Sequence, residues 1–208
     1  MTKGCIITGT DTGVGKTVFA AMLTLALKGV YWKPVQAGTE GATDTQTVRK
    51  LTGLPDNRFL PESYILTQPL SPHRAAELDG RKIEELKLPK AVSPLIIEGA
   101  GGLMVPLSRE TLFIDIFKKW NLPVILCART VLGTINHTLL SIEAMKKRAM
   151  PILGIAFIGS DNPDNIRTIT EFSGVRNLGR LPLLEALGKK SLEEAFDENF
   201  RKEDFDFV

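Results

Sequence analysis

Lys16 and Thr17 end a glycine-rich stretch, GTDTGVGKT (residues 9–17), that directly follows the apolar run CIIT. A lysine in this position can reach the β- and γ-phosphates of a nucleotide, and the threonine hydroxyl can bind Mg²⁺. Gly13 and Gly15 allow successive backbone amides to point at one anion, and a helix beginning near Lys16 adds its positive end. The stretch therefore predicts a phosphate-binding loop, and the alternative is a glycine-rich turn without a ligand.

The loop departs from the common pattern, in which a glycine is followed by four residues and then Gly-Lys-Thr. Thr10 stands where the first glycine belongs, and Gly9 lies one residue earlier. We expect this displacement to cost little if Thr10 can adopt an ordinary backbone conformation. The loop is therefore still predicted to bind a nucleotide.

Two carboxylates further along the chain could hold Mg²⁺ beside the phosphates. Glu98 follows the apolar run PLII, so it stands at the end of a predicted buried strand, where nucleotide-binding proteins hold the metal or its water. It could also be a solvated acid before a flexible turn. Asp44 lies in GATDTQTV, where Thr43 and Gln46 form a possible capping box, so it is either a metal ligand or a first-turn residue favoured by the helix dipole.

A second lysine, Lys33, lies in the apolar stretch VYWKPV (30–35). Lysine in a buried strand is costly unless its ammonium group emerges at an anion, and the end of this strand is expected to face the phosphates. A surface lysine whose aliphatic stem covers apolar surface is the alternative.

A further candidate site lies in ARTVLGTINHTLL (128–140), where Gly133 precedes a helix predicted from about Thr134. Free amides at the helix start, together with the Thr134 hydroxyl, could bind another anion such as a carboxylate. His137 falls one turn into this helix, and we expect it to be a packed or capping histidine rather than a base.

Short apolar runs alternate with helix-length amphipathic stretches along the chain. The runs are nearly continuous in apolar residues, which indicates strands buried on both faces; they cover residues 4–9, 30–35, 94–99, 123–128 and 152–159. Helical spacing is found over residues 16–29, 111–121 and 134–150. Strands and helices in series predict an α/β fold with a doubly wound, mostly parallel sheet flanked by helices.

Length and charge narrow the class of protein. The chain has 208 residues, of which 43% are hydrophobic, and it is expected to form one domain over residues 1–208. Because its formal net charge is only +2, we expect it to bind small molecules and not nucleic acid. It contains neither a basic-then-apolar leader nor an apolar run of about 18 residues, so we expect a cytoplasmic protein without a membrane partner. Cys5 and Cys127 are expected to be small buried hydrophobes.

Two regions fit the alternation less well. Residues 54–80 contain four prolines and are expected to form a long loop, here called the proline-rich excursion, with a short helix from about Ser71. Long loops in compact domains are more often functional than not. The tail from Ser191 holds seven acidic and two basic residues, and we expect a helix followed by a frayed segment.

Taken together, the motifs resemble those of the dethiobiotin synthetase family. The resemblance rests on GTDTGVGKT, KPVQAG, SPHRAAE, EGAGGLMVPL, LGTINHTLL and LGRLP, which follow one another across residues 9–182. It implies a P-loop NTPase-like fold and an ATP-dependent cyclo-ligase of biotin biosynthesis. Such an enzyme closes 7,8-diaminopelargonate and CO₂ to dethiobiotin, with ATP as co-substrate, Mg²⁺ as cofactor, and ADP and phosphate as products.

The resemblance also implies roles for individual residues. Lys16 and Lys33 would be the catalytic cations, and Thr17, Asp44 and Glu98 the magnesium ligands. ATP would be bound by Thr12, Gly13, Val14, Gly15, Lys16, Thr17, Asp44, Glu98, Gly99, Gly101, Gly102, Leu181 and Pro182. The substrate would be bound by Thr12, Lys33 and Ala37 at its reacting end, and by Thr134, Ile135 and Asn136 at its far carboxylate. These last three would come from the neighbouring subunit of a homodimer with shared active sites.

Some residues depart from the family pattern. Ala37 stands where relatives commonly carry a hydroxyl, Ile158 and Gly159 replace an Asn-Asp pair expected to recognise the adenine, and the position of Gly13 is acidic in some relatives.

A partitioning or cell-division ATPase of the related deviant-loop class is the main rival function. That class needs a second lysine early in the loop, where this chain has Asp11. It also tends to need a basic surface or amphipathic tail, whereas this tail is acidic.

Overall fold

The computed structural model describes residues 3–90 and 94–206. Its nine strands are β1 (Gly4–Gly9), β2 (Val30–Trp32), β3 (Val35–Ala37), β4 (Phe59–Leu60), β5 (Tyr64–Leu66), β6 (Leu95–Gly102), β7 (Val124–Arg129), β8 (Ile152–Ile158) and β9 (Asn177–Leu181). Its seven α-helices are α1 (Lys16–Ala26), α2 (Asp44–Thr52), α3 (Pro72–Leu78), α4 (Phe113–Trp120), α5 (Thr134–Lys147), α6 (Pro163–Ser173) and α7 (Lys189–Asn199).

Seven strands form one sheet in the order β4-β2-β6-β1-β7-β8-β9, and every neighbouring pair is parallel. β3 and β5 pair separately, also in parallel. Side chains alternate between two core clusters, since Ile6 faces one cluster while Cys5 and Ile7 face the other. Apolar residues of α3, α4, α5 and α6 cover one face of the sheet and those of α1, α2 and α7 cover the other. The doubly wound α/β fold predicted from the sequence is confirmed.

Several boundaries differ from the prediction. The strand expected over residues 30–35 divides at Lys33 and Pro34, because proline has no N–H to donate and its carbonyl accepts instead from the backbone of Ser63 and Tyr64. Helices α1, α4 and α5 are each shorter than expected. Strand β9 was not predicted, since NLGRL is an edge strand in which polar residues interrupt the apolar pattern. Strands β4 and β5 and helix α6 were also missed.

The proline-rich excursion contains β4, β5 and α3, and the short helix expected near Ser71 is confirmed, with Ser71 as its N-cap. The prediction of a frayed segment after α7 was wrong as far as residue 206. After α7, a 3₁₀ turn over Lys202–Phe205 buries Phe205 against Phe196 and Phe200. Burial of an aromatic ring offsets the entropy of ordering this short segment. The final two residues lie outside the described residues.

Both cysteines are fully buried and free, as expected, and burial raises the pKa of each thiol. A search of the described part of the chain finds no helix with the length and hydropathy needed to cross a lipid bilayer.

Candidate active site

The glycine-rich loop joins the carboxyl end of β1 to the start of α1. Gly13 and Gly15 have positive φ angles of 69° and 99°, a region that other residues rarely adopt. Lys16 begins α1, is only 6% exposed, and its ammonium donates to the backbone carbonyl of Asp11 at 2.9 Å. Burial lowers the pKa of Lys16, and the nearby ammonium of Lys33 lowers it further. The loop therefore presents a buried cation and a helix start at the same point.

Thr17, the next residue of α1, contacts both predicted acidic ligands. Its hydroxyl lies 2.8 Å from Glu98 Oε1 and 3.2 Å from Asp44 Oδ1. Glu98 is 1% exposed, which excludes the solvated acid that the sequence left open. Asp44 is indeed the first residue of α2, and the Thr43–Gln46 capping box is present. Asp44 thus belongs both to a helix start and to this cluster.

Lys33 lies between the two carboxylates and is only 3% exposed, so it is not a surface lysine. Its ammonium is 2.6 Å from Asp44 Oδ2, 3.2 Å from Glu98 Oε1 and 3.1 Å from the carbonyl of Gly99. Burial opposes its charge, yet the carboxylates of Glu98 and Asp44 outweigh burial and raise the pKa of Lys33. Burial alone would raise the pKa of Asp44, but the Lys33 charge and hydrogen bond bring it below the usual value. The pair is therefore ionised at neutral pH.

The oxygens of Thr17, Asp44 and Glu98 form a donor set suited to Mg²⁺. Magnesium in nucleotide sites uses one or two carboxylates and completes its shell with phosphate oxygens and water, rather than an all-protein cage. Within residues 3–90 and 94–206, no group of three or more His, Cys, Asp or Glu side chains able to hold a metal is found. The residues present fit a magnesium ion that arrives with a nucleotide.

These groups line one cleft of about 770 Å³. Thr12, Gly13, Gly15 and Lys16 line it from the loop, and Lys33, Gln36 and Ala37 from the segment after β2. Residues 69–71 and Pro72, the first residue of α3, also line it, which places the proline-rich excursion at the site. The cleft is large enough for a nucleotide and a small second substrate.

The glycines after Glu98 divide into two groups. Gly101 lines the cleft with a positive φ of 64°. Gly99 and Gly102 are not among the residues lining the cleft, and packing explains both. A Cβ on Gly99 would lie 2.9 Å from the Phe117 ring, and one on Gly102 would lie 3.1 Å from the carbonyl of Gly9. These two glycines let β6 pack against its neighbours.

Other predicted site residues lie outside this cleft. Thr134 is buried at the start of α5, where its hydroxyl donates to the carbonyl of Arg129. Ile135 packs against the core and Asn136 is exposed. Val14 is buried beneath the loop. Leu181 ends β9, where it is buried and its carbonyl accepts from Gly159, and Pro182 follows it, half-buried.

Three residues around the site were not predicted from the sequence. Gln36 accepts through its side-chain oxygen from the backbone N–H of Asp44 and so ties β3 to α2. The Arg129 guanidinium, at the end of β7, donates to the loop carbonyls of Thr12 and Gly13. The Tyr31 hydroxyl donates to Glu98 Oε2 at 2.7 Å. The one available signal was position, since Arg129 is the last residue of β7 and Gln36 directly follows the strand predicted over residues 30–35.

Known proteins show similarity of two kinds. A family model described as an AAA domain matches residues 3–191. Among solved structures, a ParA family ATPase from Chlorobium tepidum TLS has a TM-score of 0.53 and 14% identity over 95% of this chain and 92% of its own. The cell division ATPase MinD from Pyrococcus furiosus has a TM-score of 0.55 and 15% identity over 94% and 99%. At these identities, the structures show that the fold is shared and nothing further.

Curated relatives are much more similar in sequence. A protein of Rhodopseudomonas palustris (strain HaA2) is 58% identical over 207 residues, covering 99% of this chain and 97% of its own. One of Brucella anthropi is 56% identical over 202 residues, covering 96% and 95%. Both bear the name ATP-dependent dethiobiotin synthetase BioD. The ATP-dependent dethiobiotin synthetases are therefore the family to which this chain belongs.

Proposed function

We propose that this protein catalyses the ATP-dependent carboxylation and ring closure of 7,8-diaminopelargonate with CO₂. The products are dethiobiotin, ADP and phosphate, and the reaction serves biotin biosynthesis. One observation carries the proposal: Lys16, Lys33 and the Thr17–Asp44–Glu98 cluster converge in a single cleft at the carboxyl ends of neighbouring strands. Ligands in open α/β sheets bind at this edge.

Carbamate formation is followed by a step that joins two anions. One amine of the diamine attacks CO₂ and loses a proton, which gives a carbamate. A carbamate oxygen then attacks the γ-phosphorus of ATP, the bond to the ADP oxygen breaks, and ADP leaves. Because both reactants are negatively charged, catalysis of this step requires cations at the point where they meet.

The chain supplies two such cations. Lys16 begins α1 beneath the loop, so it is suited to the β- and γ-phosphates. Lys33 lies on the other side of the acidic cluster, beside Ala37 and Gln36, where it is suited to the carbamate and the transferred phosphoryl group. Thr17, Asp44 and Glu98 would hold Mg²⁺, which when bound neutralises phosphate charge.

Ring closure needs little from the protein beyond orientation. The mixed carbamic-phosphoric anhydride contains a good leaving group, and the second amine of the same molecule attacks its carbonyl carbon. Phosphate departs with the C–O bond electrons and the attacking nitrogen loses a proton, which completes the cyclic urea. An intramolecular attack of this kind is favoured by proximity. Thr12 and Ala37, both in the cleft wall, would hold the reacting end.

The far carboxylate of the substrate would be bound across a homodimer by Thr134, Ile135 and Asn136 of the partner. Two observations support this part of the proposal. Within one chain these residues are not among those lining the cleft. They also adjoin exposed apolar side chains, since Val131, Leu132 and Leu140 are 57%, 101% and 60% exposed. Exposed apolar clusters of this kind are typical of surfaces that bind another protein.

The nucleotide base would lie near Leu181 and Pro182, beyond the end of β9. In this chain Ile158 packs against Gly15, since a Cβ on Gly15 would lie 3.0 Å from the Ile158 side chain. Ile158 would therefore support the loop and not recognise the base. The carbonyl of Gly159 accepts from Arg180. Base recognition would therefore rely on different groups from the Asn-Asp pair expected in relatives.

The direct test is product formation from labelled CO₂. Protein incubated with ¹⁴C-bicarbonate, the diamine, Mg²⁺ and ATP should incorporate label into dethiobiotin, with one ADP formed for each ring closed. Omission of ATP should abolish incorporation, and Lys16→Ala should lower its rate at least about 100-fold. ATP hydrolysis without labelled product, in protein shown to bind the diamine, would contradict the proposal.

A further inference from the structure

Tyr31 and Lys33 lie two residues apart and reach opposite oxygens of the same carboxylate. The Tyr31 hydroxyl donates to Glu98 Oε2 at 2.7 Å, and the Lys33 ammonium lies 3.2 Å from Glu98 Oε1. Trp32, between them, packs into the core on the other face of the sheet. The alternation of side chains along an extended chain therefore delivers both groups to one acid.

Each Glu98 oxygen has a distinct environment. Oε1 faces the cleft, where Thr17 and Lys33 contact it. Oε2 has a single partner within the described residues, Tyr31, which is 0% exposed and belongs to the cluster beneath α1. A carboxylate oxygen buried this deeply requires a donor, and the tyrosine hydroxyl is the group present.

We propose that Tyr31 is the positioning residue of the magnesium site: its hydroxyl fixes the carboxylate plane of Glu98 so that Oε1 alone is presented to a metal bound beside Thr17. The inference rests on the proposed function, in which Glu98 holds Mg²⁺. Without the hydroxyl, the side chain is free to rotate about its terminal bond, and Oε2 competes with Oε1 for Thr17 and Lys33. A preorganised ligand becomes a mobile one.

The geometry also limits what Tyr31 does. The ring is packed between strand and helix residues, and Tyr31 is not among the residues that line the cleft, so the hydroxyl acts through Glu98 and touches neither nucleotide nor diamine.

The test compares Tyr31→Phe with a matched control, Tyr64→Phe. Tyr64 is the other tyrosine of the chain, and its hydroxyl accepts from the backbone N–H of Glu84, away from the cleft. The affinity of Mn²⁺ for the protein–ADP complex is measured by electron paramagnetic resonance. The affinity of ADP for the metal-free protein is measured by calorimetry in EDTA. Tyr31→Phe should weaken Mn²⁺ binding about tenfold, which corresponds to about 1.4 kcal/mol. ADP binding without metal should change less than twofold in both variants, and Tyr64→Phe should bind Mn²⁺ like the wild type.

A double-mutant cycle with Glu98→Gln separates this inference from the proposed function. If Tyr31 acts through Glu98, Tyr31→Phe adds less than twofold to the loss of Mn²⁺ affinity caused by Glu98→Gln. Suppose that Glu98→Gln weakens Mn²⁺ binding, while Tyr31→Phe leaves Mn²⁺ binding unchanged or lowers only the melting temperature. The positioning role is then wrong, while the magnesium site stands. If Glu98→Gln leaves Mn²⁺ affinity unchanged, the proposed magnesium site fails, and the Tyr31 role with it.

A measurement that keeps Tyr31 in place covers the case in which Tyr31→Phe does not fold. Protein labelled with 3-fluorotyrosine should give two ¹⁹F signals, assigned with Tyr64→Phe. Addition of Mg²⁺ to the ADP complex should shift the Tyr31 signal and leave the Tyr64 signal in place. A Tyr31 signal unmoved by saturating Mg²⁺ would overturn the inference.

Discussion

The ammonium nitrogen of Lys33 lies 2.6 Å from Asp44 Oδ2, and this contact joins the residue directly after β2 to the first residue of α2. Both groups are ionised, and the pair sits at the wall of the cleft. A lysine held this way is preoriented and charged before substrates arrive, which is the arrangement that electrostatic stabilisation of a transition state requires. The predictions below begin from this cluster.

Lys33→Gln should leave ATP binding largely intact and damage phosphorylation of the carbamate, because its charge acts on the acceptor as well as on the transferred group. Calorimetry with ATP and single-turnover kinetics at saturating ATP separate the two effects. Lys28→Gln, which removes an exposed lysine outside the cleft, is the matched control. Lost ATP affinity with normal single-turnover chemistry would show that Lys33 serves the nucleotide instead.

The same variant should also be less stable than the wild type. Removing Lys33 leaves Glu98, which is almost fully buried, and Asp44 without their shared cation, and a buried carboxylate without a cation is destabilising. Mg²⁺ with ADP should restore part of the lost melting temperature, since the metal would supply positive charge at the same oxygens. Equal melting temperatures for Lys33→Gln and wild type without ligand would contradict this reading of the cluster.

Lys16→Ala should preserve folding, because alanine favours helix at the start of α1, while lowering turnover at least about 100-fold, as expected for loss of one preorganised charge. Circular dichroism checks the fold and the labelled-bicarbonate assay gives the rate. Lys50→Ala, an exposed position of α2, should behave like wild type. Turnover of Lys16→Ala within threefold of wild type would refute the phosphate-binding role of the loop.

Mixed dimers test whether active sites are shared. Lys16→Ala lacks a working loop, and Asn136→Asp places a negative charge where the substrate carboxylate is proposed to bind. In a hybrid dimer, one of the two sites combines an intact loop with an intact partner pocket. After random subunit exchange, about a quarter of wild-type activity should return, because half the dimers are hybrids with one working site each. Hybrids verified by mass spectrometry that remain inactive would favour sites built within one chain.

The acid limb of the stability curve should depend on Glu77, an exposed residue of α3 next to the cleft wall. Hydrogen bonds from Arg109 and then Arg74 lower the pKa of Glu77 from 4.5 to about 2. A lowered pKa means that its contribution to stability is complete above about pH 4.5 and is lost as the pH falls towards 2. In urea unfolding, the wild type should have a larger free energy of unfolding than Glu77→Gln at pH 6. This difference in free energy should shrink as the pH falls from 4.5 to 3. A difference independent of pH would contradict this role of Glu77.

Local features of the sequence were sufficient to predict the loop and the fold class. Glycines at positions 13 and 15 followed by Lys16 and Thr17 specify a strand–loop–helix junction through backbone conformation and helix start, which depend on neighbours in the chain. Nearly continuous apolar runs predicted a parallel sheet covered on both faces, because a strand buried on both sides has no polar face. Edge strands such as β9 were missed because they lack that pattern.

Only the tertiary structure decided which residues meet. The strand order places β6 between β1 and β2, so Glu98 lies between the loop and Lys33, although 65 residues separate Lys33 from Glu98 along the chain. The same packing brings Phe117 of α4 against Gly99 and Gly9 of β1 against Gly102, and Thr134, Ile135 and Asn136 are not among the residues that line the cleft. Residue types and spacing cannot supply this information, because side-chain pairing across a sheet depends on strand order and register, which are set by the packing of distant segments against a common core.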